Sequence, residues 1–389
     1  MFIVDAHLDL AYNALNFGRN LFQPVAAIRA AEEDSPNPNG IATVSIPALL
    51  AGGVGLVFAS LFVMPASRRR NAYPSRIIFD DALPRARRQT AAHALAVNQL
   101  NYYWQLDGSA APVHLVQTWE DLQPILAAHD TAQPELGLLL VMEGADPIRD
   151  PGEVEWWYAR GLRGVGLAWD DSRYAPGQWR REGRLLHDGY RLLERMAQLN
   201  MFIDLTHMSE AATYDVLDAY DGPVVATHCN ARALTPTPRH LSDQQLRLIA
   251  EHGGVVGVVL YNVFLRADHE QGDPRQAVTL EHVAAHIDHI CQVTGSAAAI
   301  FSFTIDSTRA FSSSVIFAVC AKSKRRRSGV MLLPFCCTWS PSTSRSAWWR
   351  RWVAVWYFTD ISEVSPRPPL NLASAPARDF SSCSSRRWR

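Results

Sequence analysis

Residues 201–232 read MFIDLTHMSEAATYDVLDAYDGPVVATHCNAR. The apolar runs Met201–Thr206 and Pro223–Thr227 predict buried strands, and the amphipathic segment between them predicts a helix. A strand, a helix and a second strand in this order form the repeating unit of parallel α/β folds. Each strand is followed directly by a histidine, His207 or His228. The unit therefore also indicates that polar side chains lie together at the carboxyl ends of the strands.

Comparable apolar runs recur along the chain, and polar or helical sequence follows each of them. Eight runs predict parallel strands: Phe2–Leu8, Gly53–Val63, Leu136–Met142, Leu162–Trp169, Met201–Thr206, Pro223–Thr227, Gly254–Tyr261 and Ala297–Thr304. The clearest helices are predicted at Ala86–Gln105, Leu186–Leu199, Ala211–Tyr220 and Thr279–Val293, with a capping box at Ser242 and Gln245. A doubly wound open sheet gives a similar alternation. The polar residues at the strand ends favour an α/β fold of the TIM type, a (β/α)8 barrel.

The composition changes sharply after Ser296. Residues 1–296 carry 23 Arg and 34 acidic residues, whereas residues 297–389 carry 14 Lys and Arg and only 4 acidic residues. All 13 His and 21 of the 22 Gly precede the change. A basic tail with tryptophans is also typical of a nucleic-acid-binding arm, but a shifted reading frame explains this composition with fewer assumptions. We expect one catalytic domain at 1–296, an aberrant tail at 297–389 and no nucleic-acid partner.

Cysteine usage and the start of the chain indicate the compartment. Within residues 1–296 only Cys229 and Cys291 occur, so no disulfide framework is predicted and a reducing compartment is expected. The first apolar run is interrupted at once by Asp5, which predicts no signal peptide. No apolar run reaches the roughly 18 residues of a membrane span. We expect a cytoplasmic protein with no membrane partner.

Five side chains able to bind a metal fall at or just beyond the carboxyl ends of predicted strands: His7, Asp9, Glu143, His207 and His228. Active sites of β/α barrels are built at this face, and residues 19–40 and 64–83 predict long loops over it. Three imidazoles and two carboxylates suit Zn²⁺, with Mn²⁺ or Co²⁺ as substitutes. Residues 1–296 contain no lysine, so a carboxylated lysine cannot join two metals there. Glu143 is the natural bridge.

Six motifs occur in an order known from one protein family. They are Asp5-x-His7-x-Asp9, Met142-Glu-Gly144, Asp204-Leu-Thr-His-Met-Ser209, Thr227-His-Cys-Asn-Ala-Arg232, Arg239-His-Leu-Ser-Asp243 and Gly253-Gly-Val-Val-Gly-Val258. Over nearly all of residues 1–296 the chain resembles the membrane (renal) dipeptidase family of zinc metallopeptidases, family M19, in its bacterial form. The resemblance implies a barrel of the metal-dependent hydrolase (amidohydrolase-like) superfamily that hydrolyses dipeptides.

The resemblance also implies roles for the five metal-ligating residues. His7 and Asp9 would bind one zinc ion, and His207 and His228 would bind a second. Glu143 and a water or hydroxide would bridge the two ions. Two zinc ions lower the pKa of a shared water and polarise a carbonyl, so the family mechanism is attack of the bridging hydroxide on the peptide carbon.

Other family positions concern the substrate and the proton. Arg239 matches the arginine that receives the terminal carboxylate of the dipeptide, for which a planar fork of donors is suited. Trp169 stands where renal enzymes carry a histidine, and we expect it to shape the substrate pocket. Ile305 takes the place of the family's proton-handling aspartate, and Asp306, one residue on, is predicted to substitute for it. The family often dimerises, which implies a homodimer.

Two alternatives stay open at this point. Another barrel amidohydrolase would cleave cyclic amides or N-acyl amino acids at a similar centre. A metal-binding barrel that lost its last strand would be inactive, with unpaired strand edges. His282, His286 and His289 share one face of the last predicted helix but lack the glutamate of a zincin motif, so we interpret them as a solvated or packed face.

The composition change leads to a direct prediction. Resequencing the coding DNA across codons 290–310 is expected to reveal a frame change. Another frame should then encode a segment like Asp-Phe-Asp-Gly followed by helical sequence that contains glycine. Confirmation of the present frame would contradict our interpretation of the tail.

Overall fold

A computed structural model describes residues 2–34, 41–68, 76–180, 182–270, 272–295, 299–300 and 316–317. Its strands are β1 (Ile3–Leu8), β2 (Val54–Phe62), β3 (Met64–Pro65), β4 (Ile78–Phe79), β5 (Val113–Leu115), β6 (Leu136–Glu143), β7 (Leu162–Gly166), β8 (Phe202–Asp204), β9 (Val224–Ala226), β10 (Val255–Gly257), β11 (Ala299–Ile300) and β12 (Ile316–Phe317). Its helices are α1 (Leu10–Phe17), α2 (Val25–Ala31), α3 (Ile46–Ala51), α4 (Arg85–Asp107), α5 (Trp119–Ala128), α6 (Val154–Tyr158), α7 (His187–Gln198), α8 (Glu210–Ala219), α9 (Asp243–Glu251), α10 (Asn262–Leu265) and α11 (Leu280–Thr294). Among these described helices, none combines the length and the apolar character needed to cross a membrane.

Among the described residues, nine strands run parallel in one sheet: β5 beside β6, and eight in the order β11, β10, β9, β8, β7, β6, β2 and β1. Strand β12 pairs antiparallel with β1, and β3 pairs with β4 in a separate sheet. The predicted parallel α/β architecture is therefore confirmed. Of the predicted eighth strand, Ala297–Thr304, the structure describes Ala299–Ile300, which pairs with β10.

The sheet curls until it nearly closes into a barrel. Phe58 of β2 and Phe202 of β8 are three positions apart in the strand order, yet their ring centroids lie 5.4 Å apart. The same buried cluster includes Val4, Leu139 and Val225, which come from β1, β6 and β9. Side chains of such distant strands can meet only inside a strongly curved sheet. The predicted TIM-type fold is confirmed.

Local sequence decides where helices begin. At the start of α9, the Ser242 hydroxyl accepts a hydrogen bond from the backbone N–H of Gln245, and the Gln245 side chain accepts one from the Ser242 N–H. This is the predicted capping box, and it satisfies two donors that a helix start would leave unpaired. Ser209 begins α8 in a similar way, with its hydroxyl accepting from the N–H of Ala212.

One loop prediction is wrong. Residues 19–40 were expected to be a loop over the barrel mouth, but α2 forms there at Val25–Ala31. Pro24 directly precedes this helix, and proline is compatible with a helix start because no intrahelical N–H bond is needed there. A buried arginine, Arg19, forms an ion pair with Glu32 at 2.7 Å, which joins the start of the segment to the end of α2.

Tyr103 of α4 joins three elements beneath the barrel mouth. Its hydroxyl donates to the backbone carbonyl of Ser60 in β2 at 2.9 Å and accepts from the N–H of Ala11 in α1 at 3.0 Å. The side chain is fully buried. Both bonds form close to Asp9, because Ser60 also donates its side-chain hydroxyl to the Asp9 carboxylate.

Tyr103→Phe is expected to lower the free energy of unfolding by about 1–3 kcal/mol, since it leaves a buried N–H and a buried carbonyl without their partner. Urea unfolding followed by circular dichroism measures this loss. Tyr102→Phe is the matched control, because the neighbouring Tyr102 makes neither of these bonds and is only partly buried. Equal effects of the two substitutions would contradict the anchoring role of Tyr103.

Candidate metal centre

The structure brings the five predicted side chains together. His7 lies in β1 and Glu143 ends β6, while the remaining three lie just after β1, β8 and β9. All five are buried. The rings of His7 and His228 have centroids 4.2 Å apart, although their strands are five positions apart in the sheet. The curvature of the barrel therefore creates the cluster.

Glu143 lies at the middle of the cluster and contacts its two sides with different oxygens. Its Oε2 lies 3.4 Å from Nε2 of His7, whose Nε2 is also 3.6 Å from Oδ1 of Asp9. Its Oε1 lies 3.0 Å from Nε2 of His207 and 3.3 Å from Nε2 of His228. Among the described residues, two groups of potential ligand atoms, each within 4.8 Å, share Glu143, and a third group joins His7, Asp204 and His228.

Asp204 and Thr227 orient the ring of His228, and this role was not predicted from the sequence. Asp204 of β8 accepts hydrogen bonds from the N–H groups of Thr206 and Thr227, each at 3.0 Å, and from the Thr227 hydroxyl. The Thr227 oxygen also lies 2.9 Å from Nδ1 of His228. Because the hydroxyl hydrogen points to Asp204, the ring must donate from Nδ1, which leaves the lone pair on Nε2. Asp204 is a charged residue within an apolar strand, and this unusual position is the sequence feature that could have indicated its role.

Arg239 enters the cluster from the loop after β9. The side chain is buried, at 2% exposure. Its Nη1 donates to Sγ of Cys229 at 3.3 Å, and its Nη2 lies 3.4 Å from Nε2 of His207. A guanidinium can only donate, so Nε2 of His207 must accept and therefore carries a lone pair.

Three acceptors consequently face one another across short distances. Nε2 of His207 and Nε2 of His228 are 3.0 Å apart, and both lie within 3.3 Å of the same oxygen of Glu143. Lone pairs at such distances repel unless a cation lies among them. The donor set, two imidazole nitrogens and a carboxylate, suits a zinc ion.

The electrostatic environment favours neutral rings at His207 and His228 and a charged carboxylate at Glu143. Burial, with help from the charge on Arg239, lowers the pKa of His207 to about 4. Burial and the charge on His7 hold the pKa of His228 well below its usual range. Burial opposes a charge on Glu143 as well, but the charge on His7 outweighs it and keeps the pKa of Glu143 well below its usual range. Burial opposes a charge on His7, but Glu143 and Asp9 outweigh it and raise the pKa of His7 well above its usual range. At neutral pH the centre therefore offers a carboxylate and two neutral imidazoles, His207 and His228, whereas a metal ion bound at His7 must displace its proton.

The backbone has a positive φ at His207 and at Gly144, the residue after Glu143. His207 has a φ of 71°, in the left-handed region that residues other than glycine rarely adopt. Its carbonyl accepts a hydrogen bond from the N–H of Gln178 at 2.9 Å, which helps to hold this conformation. Gly144, directly after Glu143, has a φ of 80°, and a Cβ there would lie 3.2 Å from Trp169. Such strained or glycine-dependent turns are typical of functional sites.

The remaining predicted residues have different outcomes. Trp169 is buried beside the cluster, with ring centroids 6.0 Å from His207 and 5.0 Å from Phe62. It therefore lies beside the centre, and its role in shaping the substrate pocket stays a prediction. Asp306 lies outside the described residues.

The three histidines of α11 do not join the cluster. His286 is buried and accepts a hydrogen bond from the N–H of Ala231 at 3.2 Å. His289 pairs with Asp243 at 2.7 Å, and His282 belongs to the capping box of α11. Within the described part of the chain, no group of potential metal ligands includes any of the three. Their interpretation as a packed or solvated face agrees with these contacts.

Sequence comparison gives a family match. The family model "Membrane dipeptidase (Peptidase family M19)" matches residues 1–315. An "Uncharacterized protein in PQQ-III 3'region" of Acinetobacter calcoaceticus is 31% identical over 250 residues, which are 62% of this chain and 77% of that protein. "Dipeptidase verJ" of Clonostachys rogersoniana is 30% identical over 159 residues, which are 39% of this chain and 38% of that protein.

Structural comparison agrees with the barrel. A metallopeptidase from Rhodobacter sphaeroides, solved with a phosphinate mimic of the dipeptide L-Ala-D-Ala, has a TM-score of 0.62 at 24% identity and covers 80% of this chain and 87% of its own. A structure of dipeptidase AC, a metallopeptidase of family M19, has a TM-score of 0.61 at 23% identity and covers 80% of this chain and 86% of its own. At these identities the likeness shows the fold.

Proposed function

The chain belongs to the membrane dipeptidase family, peptidase family M19, and from this premise we propose that it hydrolyses dipeptides at a centre of two zinc ions. The proposed ligands are His7, Asp9, Glu143, His207 and His228. One observation carries the proposal: Glu143 directs one carboxylate oxygen to His7 and the other to His207 and His228. A carboxylate that belongs to two ligand groups at once is suited to bridge two ions.

Each part of the centre has a chemical task. Bound zinc ions supply a water that is activated near neutral pH and polarise the scissile carbonyl. Asp204, through Thr227, fixes the ring of His228 so that Nε2 faces the centre. Ser60 holds the carboxylate of Asp9 by a hydrogen bond. Such outer contacts orient ligands and preserve their geometry during turnover.

Substrate recognition is proposed for Arg239 and Trp169. The Arg239 guanidinium is buried next to His207 and offers donors in a fork that matches a carboxylate. A dipeptide held by its terminal carboxylate at Arg239 would place its peptide bond over the ligand cluster. Trp169 lies beside His207, with ring centroids 6.0 Å apart, and would form that side of the substrate pocket. The role of Asp306 in proton transfer stays a prediction.

Asp9→Asn and His207→Ala are each expected to lower kcat/KM for alanyl dipeptides by at least about 100-fold, because each removes a ligand of the centre. Removal of metal by a chelator should abolish hydrolysis, and added Zn²⁺ should restore it. Chromatography of the released amino acids gives the rate, and mass spectrometry of the metal gives the occupancy. His114→Ala is the matched control, since His114 is 44% exposed and pairs with Glu135 instead.

Unchanged activity in either ligand variant would contradict the proposed centre. A protein with two zinc ions and no turnover would instead support the inactive barrel.

The same assay separates a dipeptidase from a cyclic amidase: with Arg239→Met, KM for a dipeptide should rise about 10-fold or more because the carboxylate loses its charged partner. Hydrolysis of a cyclic amide, but of no dipeptide, would favour the other amidohydrolase class.

A further inference from the structure

An aromatic row extends from Arg239 toward solvent. The guanidinium carbon of Arg239 lies 5.6 Å from the ring centroid of Phe264. Trp179 stacks on Phe264 with ring centroids 6.4 Å apart and planes at 26°. Tyr261 supports the edge of Phe264, with centroids 4.9 Å apart at 87°. Trp179 is 43% exposed, so much of its surface remains accessible beside the centre.

Trp179 is attached directly to the metal-centre backbone. It follows Gln178, whose N–H donates to the carbonyl of His207 at 2.9 Å. This hydrogen bond therefore holds the segment after β7, and with it Trp179, beside the backbone of His207. Its neighbour Arg180 pairs with Asp170 at 2.6 Å, which holds the segment on the other side of Trp179.

Phe264 is attached to the loop that carries Arg239. Its backbone carbonyl accepts from Nδ2 of Asn230 at 3.0 Å and lies 3.1 Å from Nε2 of His240. Nδ1 of His240 accepts from the N–H of Asn230, so the ring donates from Nε2 to Phe264. Arg239 precedes His240 in the chain. The aromatic row and the guanidinium thus belong to one hydrogen-bonded unit.

The geometry of a peptide substrate then determines what the row contacts. In a C-terminal residue, the carboxylate and the side chain are bonded to the same Cα. If Arg239 holds the carboxylate, the side chain must lie within a few bonds of it, and Phe264 is the aromatic ring that lies against the guanidinium, with Trp179 stacked beyond it. Aromatic faces favour apolar or aromatic side chains, and the positive charge of Arg239 disfavours a cationic one.

We propose that Trp179 and Phe264 form the subsite for the side chain of the C-terminal residue and select large apolar side chains there. This inference rests on the proposed dipeptidase function, because it uses Arg239 as the receiver of the carboxylate. Because the two rings stack on each other, the substrate side chain would lie along their accessible surface, with Phe264 nearer Arg239 and the exposed indole of Trp179 farther out.

The test compares kcat/KM of the zinc-loaded full chain for Ala-Gly, Ala-Phe and Ala-Lys. Wild-type protein should prefer Ala-Phe to both other substrates. Trp179→Ala should lower the ratio of Ala-Phe to Ala-Gly by about tenfold, whereas Trp179→Phe should keep most of it. Trp104→Ala is the matched control, because Trp104 of α4 is 41% exposed and its indole N–H donates to Arg160 instead. It should leave the ratio unchanged.

Each other outcome has a definite meaning. An unchanged ratio in Trp179→Ala, or an equal loss for all three dipeptides at an unaltered melting temperature, overturns the subsite. Wild-type protein that cleaves Ala-Gly and Ala-Phe equally well also overturns it, but leaves the dipeptidase proposal intact. Wild-type protein that cleaves none of the three overturns the dipeptidase proposal and the subsite together.

Discussion

The contact of the Glu143 carboxylate with three imidazoles is the interaction on which the rest of the structure depends. A buried carboxylate is costly unless charges surround it. Here the charge on His7, or a cation bound among Glu143, His207 and His228, supplies that compensation, and the three histidines come from the ends of β1, β8 and β9. These strand ends can meet only because the sheet curls into a nearly closed barrel. The apolar interior beneath them, including Phe58 against Phe202, maintains that curvature. Fold and centre therefore stabilise each other.

The sequence was sufficient for the parts of the molecule that follow local rules. Strand periodicity predicted the parallel sheet, and the position of polar residues after strands predicted which side chains would meet at the barrel mouth. The capping box at Ser242 follows from spacing alone and is present. The loop prediction for residues 19–40 was wrong because α2 forms there directly after Pro24, a position at which proline is compatible with a helix start.

Other features depend on contacts between distant segments and could not be predicted. Asp204 orients His228 through Thr227, and the tautomer that this imposes is visible only from the contacts that join Asp204, Thr227 and His228. Trp179 and Phe264 are 85 residues apart in the chain and stack only in the folded barrel. The ligand roles, the division after Ser296, the cytoplasmic location and the homodimer stay predictions from the sequence.

The central claim is that Glu143 bridges two metal ions, and anomalous X-ray diffraction at the zinc edge from crystals of the zinc-loaded protein tests it most directly. Our account predicts two anomalous peaks, one between Glu143 and the pair His7 and Asp9, and one between Glu143 and the pair His207 and His228. A single peak, or two peaks that do not both contact Glu143, would contradict it.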